Sequence, residues 1–209
     1  MGGRSARITD NLISENSAYW YGGGISCDMH SSPRISGNII LANSASSGGG
    51  IHFDGRSPSI LNNVIAECHA SHDGAGIYGE SGTFDAMNNT IVFNEARNEG
   101  GGIYCEDDCH PEIVDCIIWN TWGSSDDLNG CTATYCCIQD RDSGEGNIHL
   151  NPLLVPGPLG SYYLAPDSPC IYAGSQSAEE ADLSNLTTQA DSTPDTGTVD
   201  MGYHYPIPE

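Results

Sequence analysis

Four copies of one phrase, Gly22-Gly23-Gly24-Ile25, Gly48-Gly49-Gly50-Ile51, Gly74-Ala75-Gly76-Ile77 and Gly100-Gly101-Gly102-Ile103, each begin 26 residues after the last. A fixed period of roughly 20 to 50 residues marks a repeat architecture, in which each unit buries its apolar face only against its neighbours. The chain is therefore expected to be a solenoid. Its Gly, Asn and Ser residues recur at fixed places beside Ile and Val, so they read as turns and not as disorder.

Each glycine phrase is followed by a corner and a second short strand, as in Ser32-Pro33-Arg34-Ile35, Ser57-Pro58-Ser59-Ile60 and His110-Pro111-Glu112-Ile113. A third strand then opens on Asn and an apolar pair: Asn11-Leu12-Ile13, Asn38-Ile39-Ile40, Asn63-Val64-Ile65, Asn89-Thr90-Ile91 and, with Cys for Asn, Cys116-Ile117-Ile118. Further on stand Asn16, Asn43, Cys68 and Asn94, with Ala18, Ala45, Ala70 and Ala96 two residues beyond. Three short strands per coil predict three sheets, with Ile and Ala ladders inside and Asn ladders at the bends, stacked at about 4.8 Å. The spacing of the Asn phrases varies while the glycine phrase holds its register, which places the length changes in the corners. Crossovers between parallel strands are right-handed. The fold class is thus all-β, a right-handed parallel β-helix.

These coils resemble the secreted parallel β-helix repeat proteins of the pectate-lyase-like superfamily. Tyr135-Cys136-Cys137-Ile138 reads as one more third strand, and Cys116 and Cys136 are expected at equivalent positions of neighbouring coils. Beyond them, Asp167-Ser168-Pro169-Cys170-Ile171-Tyr172-Ala173-Gly174 and Val199-Asp200-Met201-Gly202-Tyr203-His204-Tyr205 resemble the closing segment of the same proteins. Tyr172 departs from that resemblance, standing where the segment usually carries Asp. The expected organisation is 1–147 as parallel β-helix coils and 148–209 as an irregular C-terminal closing segment, or cap, packed on the same solenoid, with 175–198 as a long acidic surface loop.

Charge narrows the partners. The formal net charge is −22, and the six positive residues are all Arg. Nucleic acid is excluded, because binding it draws on phosphate neutralisation by Lys and Arg. An anionic polysaccharide would be repelled unless a divalent cation bridged it, so calcium or a neutral sugar fits better. No run of 18 apolar residues offers a membrane span. Nine cysteines, an odd number, suggest core thiols with one or two disulfides in an oxidising compartment. The expected location is extracellular or at the cell surface. The match of Ser5-Ala6-Arg7-Ile8 to Ser32-Pro33-Arg34-Ile35 opens the chain in mid-coil, which suggests either a piece of a longer exported protein whose upstream coils cover this edge or, equally, end-to-end stacking of copies into a filament.

Strand alternation supplies the site candidates. With Ile25, Ile51, Ile77 and Ile103 inward, Cys27, Phe53, Gly79 and Cys105 also point inward. The outward set is then a bare column of Gly24, Gly50, Gly76 and Gly102, a column of Ser26, His52, Tyr78 and Tyr104, and a carboxylate column of Asp28, Asp54, Glu80 and Glu106. Stacked carboxylates repel unless they bind a cation, and pairs of them at suitable separation also serve glycoside hydrolysis. The alternating oxygen groups of Asp140, Asp142, Glu145 and Asn147 around Gly144 suit a hard cation such as Ca2+. Two functions follow. The first is a binding rod that displays a face for carbohydrate or calcium in a polysaccharide or cell-surface matrix. The second is a polysaccharide-active lyase or hydrolase that uses Asp54, Glu80, Glu106, His52, Tyr78 or Tyr104; the resemblance implies a basic residue and calcium for a lyase, and the chain has no Lys.

Overall fold

The computed structural model describes residues 6–28, 31–55, 57–120, 126–140 and 142–208. Arg4, His30, Arg56, Trp122 and Arg141 lie outside them. The glycine phrases lead into a five-stranded sheet of Ile25–Cys27, Ile51–Phe53, Ile77–Gly82, Ile103–Cys109 and Leu128–Asn129. The corner prolines lead into Arg34–Ser36, Ser59–Leu61 and Glu112–Val114, which with Arg7–Thr9 and Asp85–Met87 form a second five-stranded sheet. The asparagine phrases give a third, of six strands: Leu12–Ser14, Ile39–Leu41, Val64–Ala66, Thr90–Val92, Ile117–Trp119 and Cys137–Ile138.

Pairing in all three is parallel, and each strand meets its equivalent one coil on: Ile25 opposes Ile51, Ile51 opposes Ile77, and Ile77 opposes Ile103. The result is a right-handed parallel β-solenoid. A fourth, narrow sheet of Ser44–Ala45, His69–Ala70 and Glu95–Ala96 was not expected as a separate element. It forms because the alanine ladder is small enough to let the corner backbone close up into pairing distance.

The core is a set of stacked isoleucines from three sides, among them Ile35, Ile40, Ile51, Ile60, Ile65, Ile77, Ile91 and Ile103, all at 0% exposure. Each contributes about 1.5–3 kcal/mol by leaving water. Phe53 occupies the inward column between Cys27 and Gly79, and a Cβ on Gly79 would lie 2.5 Å from the Phe53 ring and 2.8 Å from Cys109 Sγ. The missing side chain of one coil is thus the space taken by the large one of the coil before.

Asparagine fixes the bends. Asn38 Oδ1 accepts from the backbone N and the Nδ2 of Asn11, both at 3.0 Å. Asn63 Oδ1 does the same for Asn38, and Asn89 Oδ1 for Asn63. Each Nδ2 also donates back to a strand carbonyl, Asn63 to Ile35 O at 3.0 Å for example. Buried corner amides that would otherwise be orphaned are satisfied by the next coil. The residue before each of these asparagines turns the chain in the left-handed region, with φ of 57° at Asp10, 70° at Gly37, 50° at Asn62 and 52° at Asn88. Gly, Asn and Asp hold that conformation at lowest cost.

Cysteine continues the same ladder. The Asn89 amide donates to Cys116 Sγ (3.4 Å), the Cys116 amide to Cys136 Sγ (3.2 Å) and the Cys136 amide to Asn147 Oδ1 (2.9 Å). Cys116 and Cys136 therefore sit on neighbouring coils, as expected. All nine cysteines are free thiols in this structure, in place of the disulfides expected.

One expectation about shape is corrected. The extra residue of the fourth coil lies in a bulge and not in a corner: Gly79 opposes Cys105 but Ser81 opposes Asp108, so three residues on one strand span two on the other. Residues 148–208 pack on the side of the solenoid rather than across its end. Tyr162, Tyr163, Leu164, Cys170, Met201, Tyr203 and Tyr205 pack laterally on the outer face of the asparagine sheet, against Val64, Ala66, Val92, Ile117 and Cys137. The physical reason is visible in the strands Val-Ile-Ala, Thr-Ile-Val and Ile-Ile-Trp, which are largely apolar on both faces, as strands covered on both sides are. His204 and Asn62 exchange two backbone-to-side-chain bonds (2.7 and 3.0 Å), and the fully buried His204 Nε2 lies 2.8 Å from Asp195 Oδ2. The stretch 175–198 runs over the surface, as expected, and is anchored by the buried Ala178, Leu183, Thr187, Thr188 and Asp195.

Candidate functional site: an aromatic column and a serine-lined notch

The inward assignment of Ile25, Cys27, Phe53 and Cys105 holds. The glycine column does not point outward. A Cβ on Gly50 would lie 2.6 Å from Gly76 O and 2.8 Å from Ile65 Cγ2, and one on Gly76 2.8 Å from Ile91 Cγ2. Both are inside the core wall. The phrase rounds a corner, so strand alternation cannot be run back through it.

His52, Tyr78 and Tyr104 do stack on the outer face, with ring centroids 5.7 Å apart for the first pair and 5.3 Å for the second. A fourth ring, Tyr21, lies against both His52 (4.6 Å) and Tyr78 (6.1 Å). That cover leaves His52 4% and Tyr78 6% exposed, so neither offers a free face to a sugar. Ser26 reaches His52 Nδ1 at 3.3 Å. Burial lowers the pKa of His52, opposed by the Glu80 carboxylate, whose Oε1 stands 3.5 Å from Nε2; that nitrogen makes no hydrogen bond.

The carboxylates are separated by what they hold. Glu106 Oε1 accepts from the Tyr78 hydroxyl at 2.5 Å, and Asp54 Oδ1 from Ser81 at 3.0 Å. Burial, then Glu106, raises the Tyr78 hydroxyl well above its ordinary value. Glu80 raises Tyr21, and burial raises Tyr104. Asp28 is exposed. The bulge after Cys105 breaks the column between the third and fourth coils. Both ion-pair contacts among the described residues involve histidine, so no arginine among them faces these acids to neutralise a uronate.

The Asp140 to Asn147 stretch is built differently from a cation loop. Asp142 Oδ2 accepts from the Ala133 amide (3.1 Å) and its Oδ1 from Gly144 (3.2 Å). Asn147 closes the ladder on Cys136, Asp140 accepts from the Asp127 amide, and Glu145 Oε1 accepts from Tyr135 (3.2 Å). The oxygens terminate a coil's backbone, and among the described residues no three His, Cys, Asp or Glu side chains gather to hold a metal. The residues present do not fit calcium.

What sequence reasoning missed lies one corner away. Ser17 pairs with Ser44 and Tyr21 with Ser47, so coil two crosses this corner with one residue fewer than coil one. Ala70 to Gly74 and Ala96 to Gly100 match the longer count. The short coil leaves a shallow notch of about 410 Å3 lined by Ser17, Ser44, Ser46, Ser71, His69 and Tyr19 together with Ala18 and Ala45. Ser46 Oγ is 2.9 Å from His72 Nδ1. Beside the notch the longer corner throws Tyr19, Trp20 and Tyr21 outward at 81%, 64% and 44% exposure, with Tyr19 and Trp20 in an edge-to-face contact at 4.5 Å. The signal was present in the sequence: three successive aromatics before Gly22, and Gly48 only three residues after Ala45.

Among sequence families, the model of the right handed beta helix region matches residues 1–118, more than half of the 209-residue chain. The chain belongs to the right-handed β-helix family. Comparison with curated proteins and with solved structures returned no match. In this β-helix the family match ends at the fourth coil, on the Cys116-Ile117-Ile118 strand, so the lateral C-terminal segment lies beyond it.

Proposed function

We propose that this β-helix is a non-catalytic binding module for a neutral glycan, seated in the notch of coil two against Tyr19 and Trp20. The observation that carries the reading is the notch itself, a hydroxyl-lined hollow edged by the exposed Tyr19 ring, with the exposed Trp20 against that ring, on a protein of net charge −22. Serine hydroxyls donate and accept to sugar hydroxyls, and aromatic rings cover the apolar face of a pyranose. The absence of Lys and the surplus of carboxylates disfavour an anionic chain at this surface. In this reading the rod works outside the cell in a polysaccharide matrix.

The test is calorimetry against neutral oligosaccharides, with Trp20 fluorescence as a second readout. Tyr19→Ala and Trp20→Ala are each expected to weaken binding about tenfold, equivalent to about 1.4 kcal/mol, while Tyr104→Ala leaves it unchanged. Loss of binding with Tyr104→Ala alone would move the site to the aromatic column. New reducing ends or unsaturated products in the same incubations would replace this reading with the enzymatic one.

A further inference from the structure

Three thiols converge where the fourth coil meets the rung that follows it. Cys105 and Cys109 belong to one strand, Ile103–Cys109, and four residues of straight strand would hold them about 13 Å apart. Their sulfurs are 2.7 Å apart. The bulge bends the strand so that both side chains enter the core, at 2% and 1% exposure. Gly79 keeps the space open, since a Cβ there would lie 2.8 Å from Cys109 Sγ. The next rung brings the third thiol: Asn129 pairs with Tyr104, Gly130 packs directly on the Cys105 backbone, and Cys131 packs against the core cluster that holds Cys105 and Cys109.

Cys131 differs from its partners in being reachable. It is half-buried and lines an open cleft of about 380 Å3 with Asp126, Asp140 and Asp142. The other close pairs offer no such entry: Cys137 and Cys170 are both at 0% exposure, and so are Cys116 and Cys136, whose sulfurs each accept a ladder amide.

We propose that Cys105 and Cys109 form a redox-active dithiol that is oxidised through Cys131 by small disulfides, with the acidic cleft favouring cationic ones. The Cys131 thiolate attacks one sulfur of the disulfide, forming a mixed disulfide and releasing one thiol, which takes up the proton Cys131 gave up. Cys105 then attacks the Cys131 sulfur and releases the second thiol. Cys109 attacks Cys105 and returns Cys131 to its thiol. In balance, one external disulfide becomes two thiols while Cys105 and Cys109 lose two hydrogens and gain one S–S bond. Each exchange follows the usual thiolate displacement at a disulfide sulfur.

The experiment treats the reduced full chain with cystamine and follows intact mass and a non-reducing peptide map. The expected product has lost two hydrogens, carries no cysteamine and links Cys105 to Cys109. Cys131→Ser is expected to slow that oxidation at least tenfold with an unchanged circular dichroism spectrum. Cys105→Ser is expected to stop at a cysteamine adduct on Cys131. Oxidised glutathione, which is anionic, is expected to react more slowly than cystamine, by a margin that shrinks in 0.5 M salt as screening lengths fall below about 5 Å. A link between Cys137 and Cys170 in place of Cys105–Cys109, an unchanged rate in Cys131→Ser, or a folded protein that keeps all nine thiols would each overturn the proposal.

Discussion

Asn63 carries five hydrogen bonds in one side chain: it accepts two from Asn38 and donates to Ile35 O, Leu61 O and Asn89 Oδ1. Asn63→Ala leaves a buried amide and two carbonyls unpaired and is expected to cost about 3 kcal/mol, read from urea unfolding, since each buried orphan costs about 1–3 kcal/mol. The chain itself indicates the mildest replacement. Cys116 and Cys136 fill this ladder position with a sulfur that accepts the neighbouring amide, so Asn63→Cys is expected to cost less than half as much. A cysteine variant as unstable as the alanine one would mean that size and not acceptance matters here. Asp127 ends the second ladder, taking the Asn120 amide at 3.0 Å, and burial, reinforced by Asp140, raises its pKa from 3.8 to about 6. A raised carboxylate contributes stability that is full below pH 3.8 and is lost as pH rises through about 6. Between pH 4 and pH 7 the wild type should therefore lose about 2–3 kcal/mol relative to Asp127→Asn. A difference independent of pH would show that Asp127 is ionised throughout.

At the scale of the strand, Cys27, Phe53, Gly79 and Cys105 form one inward column whose volume is shared between coils. Gly79→Ala pushes a methyl group into the Phe53 ring at 2.5 Å and is expected to destabilise by about 1–3 kcal/mol through overpacking. Adding Phe53→Leu should recover at least half of that loss. If the double variant is no better than the sum of the single ones, the clash lies at Cys109 instead. The same strand shows why function does not follow from alternation alone. Tyr78 is outward by register, as the sequence implies, yet Tyr21 from the preceding corner closes over it. The notch also depends on a single-residue difference between corners, which matters only once the coils are stacked.

For the whole molecule, the lateral segment is expected to be a condition of solubility. Ending the chain after residue 147 would uncover Val64, Ala66, Val92 and Ile117, a contiguous apolar surface on a sheet with open edges. Such a chain is expected to bind a hydrophobic dye and precipitate at micromolar concentration, whereas a soluble monomer with native ellipticity would show that the coils fold independently. Divalent ions should act through the net charge of −22 and not through a built site. Calcium and magnesium at millimolar concentration are therefore expected to raise the melting midpoint by similar amounts, and a gain confined to calcium would indicate a specific site.

The coil period, the parallel register, the inward isoleucines and the asparagine ladders were legible in the residues alone. Each of those is a local pattern repeated at fixed spacing, and stacking identical units adds no new information. The neighbour of a repeat is simply another repeat. Whatever joins distant or unlike parts was decided only in three dimensions. His204 meets Asn62 across 142 residues, Tyr21 covers rings on two later coils, and the Asp140 loop spends its oxygens on backbone amides because it ends a coil. Cys105 touches Cys109 because a bulge bends the strand between them. Periodicity encodes which face is buried, but which surfaces remain open depends on what the aperiodic parts of the chain come to rest upon.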